Sequence, residues 1–238
     1  MCKTQFQLEQ EEWNLLFQFR DFFGVQAQLV VDPVFLISKK EWMEIAQLAR
    51  IKETDEYLLA YILNPTNEKK KLIEDAGKKL GLKIHVIVDA SDYDNKKDLF
   101  NDQGLIEKPS FEEWLFYLYN AKYIITDSFH GTCLSIIFEK RFISIKNRQK
   151  QRFDSLAAMT GIGDKLFYES AREVLSNDIV FPTFDYQTVK SNLNSNINGS
   201  KLWLRTSLSK KAGTHDDSHR ILIDYAALYR KYLSVIED

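Results

Sequence analysis

Most of the residues suited to chemistry lie in one stretch, residues 123–138, where a strand-like apolar run passes through a polar turn into a helix-like run. In parallel α/β sheets, ligands bind beyond the carboxyl ends of the strands, which is where this turn would lie. The start of the following helix would offer unpaired backbone N–H groups and a positive dipole end to a phosphate or carboxylate. The stretch therefore predicts an anion-binding turn. Its candidate residues are Thr126, Asp127, Ser128, His130 and Gly131.

Each side chain of this turn suggests a role. His130 is the candidate for proton transfer, because imidazole changes charge near neutral pH. Gly131 would allow a ligand to approach the backbone closely. Asp127 could orient His130 or cap the helix, and capping is the more common role of an aspartate at such a position. A purely structural interpretation also stays open, in which the turn only caps a helix and His130 fills space.

Six cations follow within residues 140–152, with no acid among them, in a chain whose formal net charge is −2. Three are typical of a solvated strand edge, where cations discourage aggregation: Lys140, Arg141 and Lys150. The other three follow a predicted strand at its carboxyl end, beside the turn: Lys146, Arg148 and Arg152. We expect these three side chains to converge on a ligand with two anionic groups.

The chain around these residues alternates strands and helices. The apolar patterns predict strands over residues 27–31, 57–63, 84–88, 123–126 and 142–145. They predict helices over residues 6–23, 38–49, 65–80, 110–120, 131–138 and 153–159. Such alternation implies right-handed crossovers and a parallel sheet with helices on both faces, which is a Rossmann-like α/β fold. An asparagine-rich tract, residues 191–200, lies outside the alternation.

These patterns predict three parts along the chain. An N-terminal helix occupies residues 1–24, and the Rossmann-like domain occupies residues 25–210. Residues 211–238 form a polar linker and a C-terminal helix with one apolar side. The N-terminal helix would be the remnant of a preceding domain, or the link to it.

Composition narrows the class of protein. The 34 acids and 32 bases leave no global positive field, so we expect no nucleic-acid partner and no anionic membrane partner. Only Cys2 and Cys133 are present, which favours a reducing, cytoplasmic location. The first residues lack the cations and apolar block of a secretory signal, and no stretch has the length of a membrane span.

We expect no metal site. A cluster of potential ligands does occur in the polar linker: His215, Asp216, Asp217 and His219. Its polar setting favours a solvated tract over a built coordination site. Cys133 lies among apolar residues of a predicted helix, so we interpret it as a core residue and not as a nucleophile.

The sequence resembles the polysaccharide pyruvyl transferase family. The resemblance is carried by residues 125–131 (ITDSFHG), Phe142-Ile143 and Arg152-Phe153, by residues 31–36 (VDPVFL) followed by Trp42, and by Asp185-Tyr186 with residues 200–204 (SKLWL). It runs from Gly24 to Lys210. The SFHG element is the most specific of these motifs, whereas the Asp-Pro pair is weak by itself.

The resemblance implies a GT-B-like enzyme of two Rossmann-like domains, in which the second domain binds the donor and the cleft between them binds the acceptor. This chain resembles the second, C-terminal domain. Family members carry a further N-terminal domain with a glycine-rich start, and only twenty-three residues precede Gly24 here. A separate N-terminal domain or self-association is therefore expected to complete the enzyme.

The implied reaction transfers pyruvyl from phosphoenolpyruvate to a sugar of a polysaccharide and forms a pyruvate ketal. The implied partners are phosphoenolpyruvate and an acceptor sugar or lipid-linked oligosaccharide, with no metal and no cofactor. By resemblance, His130 is the general acid or the phosphate-stabilising group. Arg148 and Arg152 are the candidates for the donor anions.

Two other functions fit the same residues. A GT-B glycosyltransferase would use the helix start and the nearby cations to hold the diphosphate of a nucleotide sugar. It would also need a carboxylate for the ribose, which the sequence does not identify. A non-catalytic subunit in polysaccharide synthesis would instead have no affinity for a small ligand.

Overall fold

The protein is represented by a computed structural model that describes residues 29–89, 93–100, 104–148, 150–177, 179, 181 and 184–209. The helix predicted over residues 6–23, the C-terminal segment from residue 211 and the cluster around His215 lie outside the described residues. The chain divides into two compact units, Met1–Ile197 and Asn198–Asp238. The sheet and the candidate site belong to the first unit.

The first unit is built on a five-stranded parallel sheet. Its strands are β1 (Tyr57–Ile62), β2 (Lys83–Val88), β3 (Tyr123–Thr126), β4 (Arg141–Ile145) and β5 (Phe167–Tyr168). Their order across the sheet is β2-β1-β3-β4-β5, and every neighbouring pair is parallel. The predicted Rossmann-like α/β fold is therefore confirmed. The short β5 has no counterpart in the sequence prediction.

Nine α-helices are assigned among the described residues. They are α1 (Lys39–Ala46), α2 (Asn67–Leu80), α3 (Tyr93–Lys96), α4 (Phe111–Asn120), α5 (Phe129–Ile137), α6 (Lys150–Thr160), α7 (Gly163–Leu166), α8 (Ala171–Ser176) and α9 (Tyr186–Ser209). Two 3-10 helices, Pro33–Leu36 and Lys97–Leu99, complete the set. Helix α1 starts after a capping box formed by Ser38 and Glu41, which lies at the beginning of the helix predicted over residues 38–49.

Helices cover both faces of the sheet, as predicted. Successive residues of a strand point to opposite faces, so each central strand contributes to two cores. Leu59 and Ile124 pack with α1, α4, α5 and α6 on one face. Leu58 and Ile125 pack with α2 and α8 on the other face. Burial of both faces explains why these strands are almost continuously apolar.

Two segments differ from the sequence prediction. The strand predicted over residues 27–31 is wrong for its described part, because residues 29–32 have no regular structure and lead into a 3-10 helix. Pro33 occupies the first turn of that helix, and Asp32 caps it by accepting a hydrogen bond from Val34 N at 3.1 Å. The asparagine-rich tract, to which the sequence pattern assigns no element, is helical within α9. Its Leu193 packs into the core, while Asn192 donates to Thr160 O.

The strand order places a switch point between β1 and β3, since the chain leaves β1 toward β2 and then returns past β1 to β3. Crevices at such a point, outside the carboxyl ends of the strands, are the usual ligand sites of open α/β sheets. The turn that follows β3 therefore lies at the favoured edge. Helix α5 begins directly after that turn.

The opposite edge carries a cluster of charges with a structural role. Glu53 Oε2 lies 2.7 Å from His85 Nε2 and 3.2 Å from Lys83 Nζ. Hydrogen bonds from the Asp55 backbone and from His85 hold the pKa of Glu53 down at about 2. His85 itself is buried against the rings of Tyr57 and Tyr117.

This cluster predicts how stability depends on pH. Because the pKa of Glu53 in the folded chain lies below its ordinary value of 4.5, its contribution is present above about pH 4.5 and is lost as the pH falls toward 2. Glu53→Gln should therefore lower the free energy of unfolding by about 1 kcal/mol at pH 7. The difference from the unmodified chain should shrink between pH 5 and pH 3, as measured by urea unfolding.

The matched control is Glu56→Gln, because Glu56 forms an ion pair with Lys122 in which both side chains are exposed. This variant should stay within about 0.5 kcal/mol of the unmodified chain at every pH. An effect of Glu53→Gln that did not change with pH would contradict the ionic origin of the stabilisation.

Candidate functional site

A fully buried carboxylate organises the edge at the switch point. Asp127 Oδ1 accepts a hydrogen bond from Leu63 N at 2.6 Å, and Oδ2 accepts one from Asn64 N at 2.9 Å. Lys69 Nζ, in the first turn of α2, lies 2.7 Å from Oδ2 and also donates to Asn64 O. Asp127 therefore ties the loop after β1 and the start of α2 to the turn after β3. A buried charge is tolerated here because donors surround it.

Helix α5 is capped by the next residue along the chain. Ser128 Oγ accepts from Gly131 N at 3.2 Å, so the alternative that Asp127 caps the helix is wrong. The physical reason is that the oxygens of Asp127 are engaged by the loop after β1. Thr126 Oγ1 donates to Tyr61 O at 2.7 Å and accepts from Ser128 N. Thr126 and Ser128 are both buried, and a role for them in substrate binding stays a prediction.

Gly131 is required by packing within the chain. A Cβ atom at this position would lie 2.7 Å from Thr126 Oγ1 and 2.9 Å from Tyr61 Cδ1. Both distances are shorter than real Cβ contacts. Protein atoms therefore fill the space on the side of Gly131 where a Cβ atom would point, so a ligand cannot approach the backbone from that side.

His130 faces outward from this buried turn. Its side chain is 53% exposed, and its Nε2 lies 3.6 Å from Oδ2 of Asp32. The same oxygen lies 2.9 Å from Arg152 Nη2. Asp32 is only 11% exposed, and its other oxygen accepts from Val34 N. One carboxylate thus stands between an imidazole and a guanidinium.

Asp32 is the site residue that the sequence prediction missed. It is visible in the sequence only as the first half of an Asp-Pro pair, where aspartate is common for local reasons. It indeed caps the 3-10 helix with one oxygen. The other oxygen meets Arg152, which is 120 residues further along the chain, and no local pattern reports such a contact.

Arg152 is held from a second side by an aromatic ring. Its guanidinium carbon lies 4.0 Å from the centroid of Phe129, which packs edge-on against Phe153. A planar guanidinium can stack on a ring and bind a carboxylate at once, which an ammonium does not do as well. Asp32 thus joins Arg152 to His130, and the predicted role of Arg152 in binding donor anions stays a prediction.

The other two predicted cations lie in different surroundings. Lys146 Nζ lies 2.5 Å from Asp154 Oδ1 and 2.8 Å from Glu169 Oε1. Burial by itself lowers the pKa of Lys146, but these two acids raise it above its ordinary value. Arg148 is exposed on the loop after β4. Of the three cations expected to converge, the structure brings Arg152 to the His130–Asp32 pair, and substrate contacts by all three stay a prediction.

An apolar cavity of about 280 Å³ adjoins Asp32 and Arg152. It lies between the segment before the first 3-10 helix and the outer side of α6, and it has the size of a small organic group. Its apolar lining includes Leu29, Val31, Phe35, Phe129, Leu156, Met159 and Leu193. Its charged lining residues are Asp32 and Arg152, so a charged group of a ligand there would be placed toward Arg152.

Among the described residues, the potential metal ligands and the cysteine do not form a further site. No group of three or more His, Cys, Asp or Glu side chains in this part of the chain could hold a metal ion. Cys133 is fully buried, and burial raises the pKa of its thiol well above the ordinary value, so it is a core residue as predicted. No described helix combines the length and the apolar character needed to cross a membrane.

Comparison with known proteins places this site in a family. Residues 15–149, more than half of the chain, match the family model described as polysaccharide pyruvyl transferase. That match includes Asp32 and the whole His130 turn, and it ends before Arg152. No curated protein gives a significant match.

Among solved structures, two E. coli enzymes are similar. ADP-heptose LPS heptosyltransferase II shows 10% identity and a TM-score of 0.35, over 74% of this chain and 56% of that one. Heptosyltransferase WaaC with ADP shows 17% identity and a TM-score of 0.36, over 72% of this chain and 52% of that one. This chain therefore spans little more than half the length of either enzyme.

The buried carboxylate at the switch point leads to a stability prediction. Asp127→Ala would leave Lys69 and two backbone N–H groups without their acceptor, so we expect it to lower the free energy of unfolding by about 3 kcal/mol. Lys69→Met should cost less, because Asp127 keeps its two backbone donors. Both effects can be measured by urea unfolding followed by circular dichroism.

Asp75→Ala is the control, since Asp75 pairs with Lys71 at the surface of α2 and should change stability by about 0.5 kcal/mol or less. Equal stability of Asp127→Ala and the unmodified chain would show that the carboxylate does not hold the two loops together.

Proposed function

Because the chain belongs to the polysaccharide pyruvyl transferase family, we propose that it binds phosphoenolpyruvate beside His130 and Arg152 and transfers the pyruvyl group to a sugar. One observation carries the proposal. An exposed imidazole and an arginine are fixed around a single, largely buried carboxylate at the carboxyl edge of the sheet. This arrangement combines a group that can exchange protons with a group suited to anions.

The donor has a phosphate and a carboxylate, and the site offers features that suit both. Arg152 can bind either group through its planar fork. The first turn of α5 brings N–H groups and a positive dipole end to the neighbourhood of His130. Protonated His130 would add a further positive charge. Asp32 offsets part of this charge, so the local balance favours an anion most strongly when the imidazole is protonated.

In the proposed reaction, a sugar hydroxyl attacks C2 of the enol phosphate, and C3 takes up a proton. The bond from C2 to the phosphate oxygen then breaks, and a second sugar hydroxyl adds to C2 to close the ketal. Of the two protons that the hydroxyls lose, one balances the proton taken up by C3 and the other leaves with the phosphate. His130 would deliver the proton to C3 or stabilise the departing phosphate. Asp32 would act as a positioning residue that holds both the imidazole and the guanidinium.

The sequence predicts a catalytic role for Asp127, but its buried contacts favour an indirect one. Its oxygens hold Leu63 N, Asn64 N and Lys69 Nζ, and it is fully buried. We therefore propose that it serves catalysis indirectly, by fixing the turn that presents His130. Thr126, Ser128 and Gly131 support that turn in the same way.

We propose further, from the family resemblance, that the acceptor site is completed by a separate domain or by another copy of the chain. The acceptor would be a sugar or a lipid-linked oligosaccharide. The low cysteine content supports a cytoplasmic location.

Calorimetric titration of the purified chain tests the donor site. Phosphoenolpyruvate should bind more tightly than inorganic phosphate, because the site meets two anionic groups instead of one. His130→Ala and Arg152→Lys should each weaken binding of phosphoenolpyruvate by about tenfold. Arg172→Lys is the matched control, since Arg172 pairs with Glu68 on the exposed side of α8 and should bind the donor normally.

Other outcomes would redirect the assignment. Tighter binding of a nucleoside diphosphate than of phosphoenolpyruvate would favour a nucleotide-sugar glycosyltransferase. A folded chain with no affinity for any of these ligands would favour the non-catalytic subunit. Phosphoenolpyruvate binding that is unchanged in both site variants would place the donor elsewhere on the molecule.

A further inference from the structure

The carboxyl edge of the sheet also carries an exposed aromatic ring that the donor site does not use. Phe111 is 52% exposed and is the first residue of α4. Helix α4 ends just before β3 begins, so its start must lie toward the carboxyl edge, where α5 also starts. Phe111 and His130 are therefore presented at the same edge. About half of the surface of Phe111 is therefore open to a ligand.

The ring is held rigidly. The preceding Ser110 forms a capping box with Glu113, with hydrogen bonds of 2.8 Å and 3.3 Å that fix the backbone of the first turn. The Trp114 ring lies beside Phe111 at a centroid distance of 5.8 Å, inclined by 32°. Trp42 contacts it from α1 at 6.3 Å. Little conformational entropy remains to be lost when a ligand binds to such a ring.

A row of rings links Phe111 to the turn that carries His130. Trp114 packs edge-on against Tyr61, with centroids 5.4 Å apart. Tyr61 in turn fills the space next to Gly131. In the sheet, Tyr61 is paired with Thr126, the last residue of β3. Packing contacts through Trp114 and Tyr61 therefore connect Phe111 to the candidate active site.

We propose that Phe111 is the stacking platform for the acceptor, and that it receives the C–H face of a pyranose ring. The inference rests on the proposed function, because it supplies the second substrate of the same reaction. A sugar ring has an apolar face and a polar rim, which matches a single exposed ring with polar neighbours. Next to Phe111, Ser110 Oγ donates to Glu112 Oε2 at 2.9 Å, and both can meet sugar hydroxyls.

A sugar fits this position better than a protein surface does. A protein partner buries a broad apolar patch, whereas Phe111 stands between charged and hydroxyl side chains of the same turn. Trp114 and Tyr61 are only partly exposed, so they pack behind Phe111 and add little to the exposed apolar surface. Loss of Phe111 should therefore raise KM for the sugar and leave donor binding unchanged.

The test uses saturation-transfer difference NMR on the full 238-residue chain, with methyl β-galactopyranoside and methyl β-glucopyranoside as probes. At least one probe should give saturable transfer, concentrated on the C–H protons of one face of the ring. Phe111→Ala should weaken that binding by about fivefold, because one ring contact is lost. Phe111→Trp should restore it. Leu208→Ala is the control, since Leu208 is an exposed apolar residue in the last turn of α9 and is not part of the row of rings.

Calorimetry with phosphoenolpyruvate on the same samples separates this inference from the donor proposal. Donor binding without transfer to either probe, or equal probe binding by Phe111→Ala and the unmodified chain, would overturn the platform and leave the donor site standing. If probe binding depends on Phe111 but the chain does not bind phosphoenolpyruvate, the result would support the platform and refute the donor site. Self-association that light scattering detects in the unmodified chain, and that Phe111→Ala abolishes, would assign the ring to a protein interface and overturn the platform.

Discussion

The buried carboxylate of Asp127 is the constraint on which the candidate site depends. It lies where the strand order reverses, and its oxygens join the loop after β1, the start of α2 and the turn after β3. A charge without solvent is stable only while its donors stay in place, so the three segments are held in one arrangement. Helix α5 therefore starts at a fixed point, and His130 leaves the turn toward solvent.

A second carboxylate repeats this principle at the surface of the site. Asp32 caps a short helix with one oxygen and meets Arg152 and His130 with the other. The two acids differ in what their environment permits. Asp127 is enclosed and can only hold protein groups, whereas Asp32 reaches the edge where an exposed imidazole stands. Polar residues that look alike in the sequence thus divide into those that build the turn and those that face a ligand.

The cations also divide into those that pair with structural acids and those that lie at the candidate site. Lys146, Arg148 and Arg152 lie within seven residues of each other, yet Lys146 pairs with Asp154 and Glu169 while Arg152 pairs with Asp32. Charge density along the chain indicates that anions are nearby, but it does not separate structural partners from ligands. Which cation meets which acid depends on the positions of β5 and of the segment around Asp32, and neither is a neighbour in sequence.

By itself, the sequence determined the alternation of strands and helices and the polar turn between β3 and α5. These features depend on periodicity and on backbone groups within four residues, so a local pattern is enough to reveal them. The tertiary structure alone decided that Asp127 holds the loop after β1 and that Asp32 joins His130 to Arg152. Those contacts cross between 63 and 120 residues of chain, and their energies depend on burial and distance, which exist only once the sheet has formed.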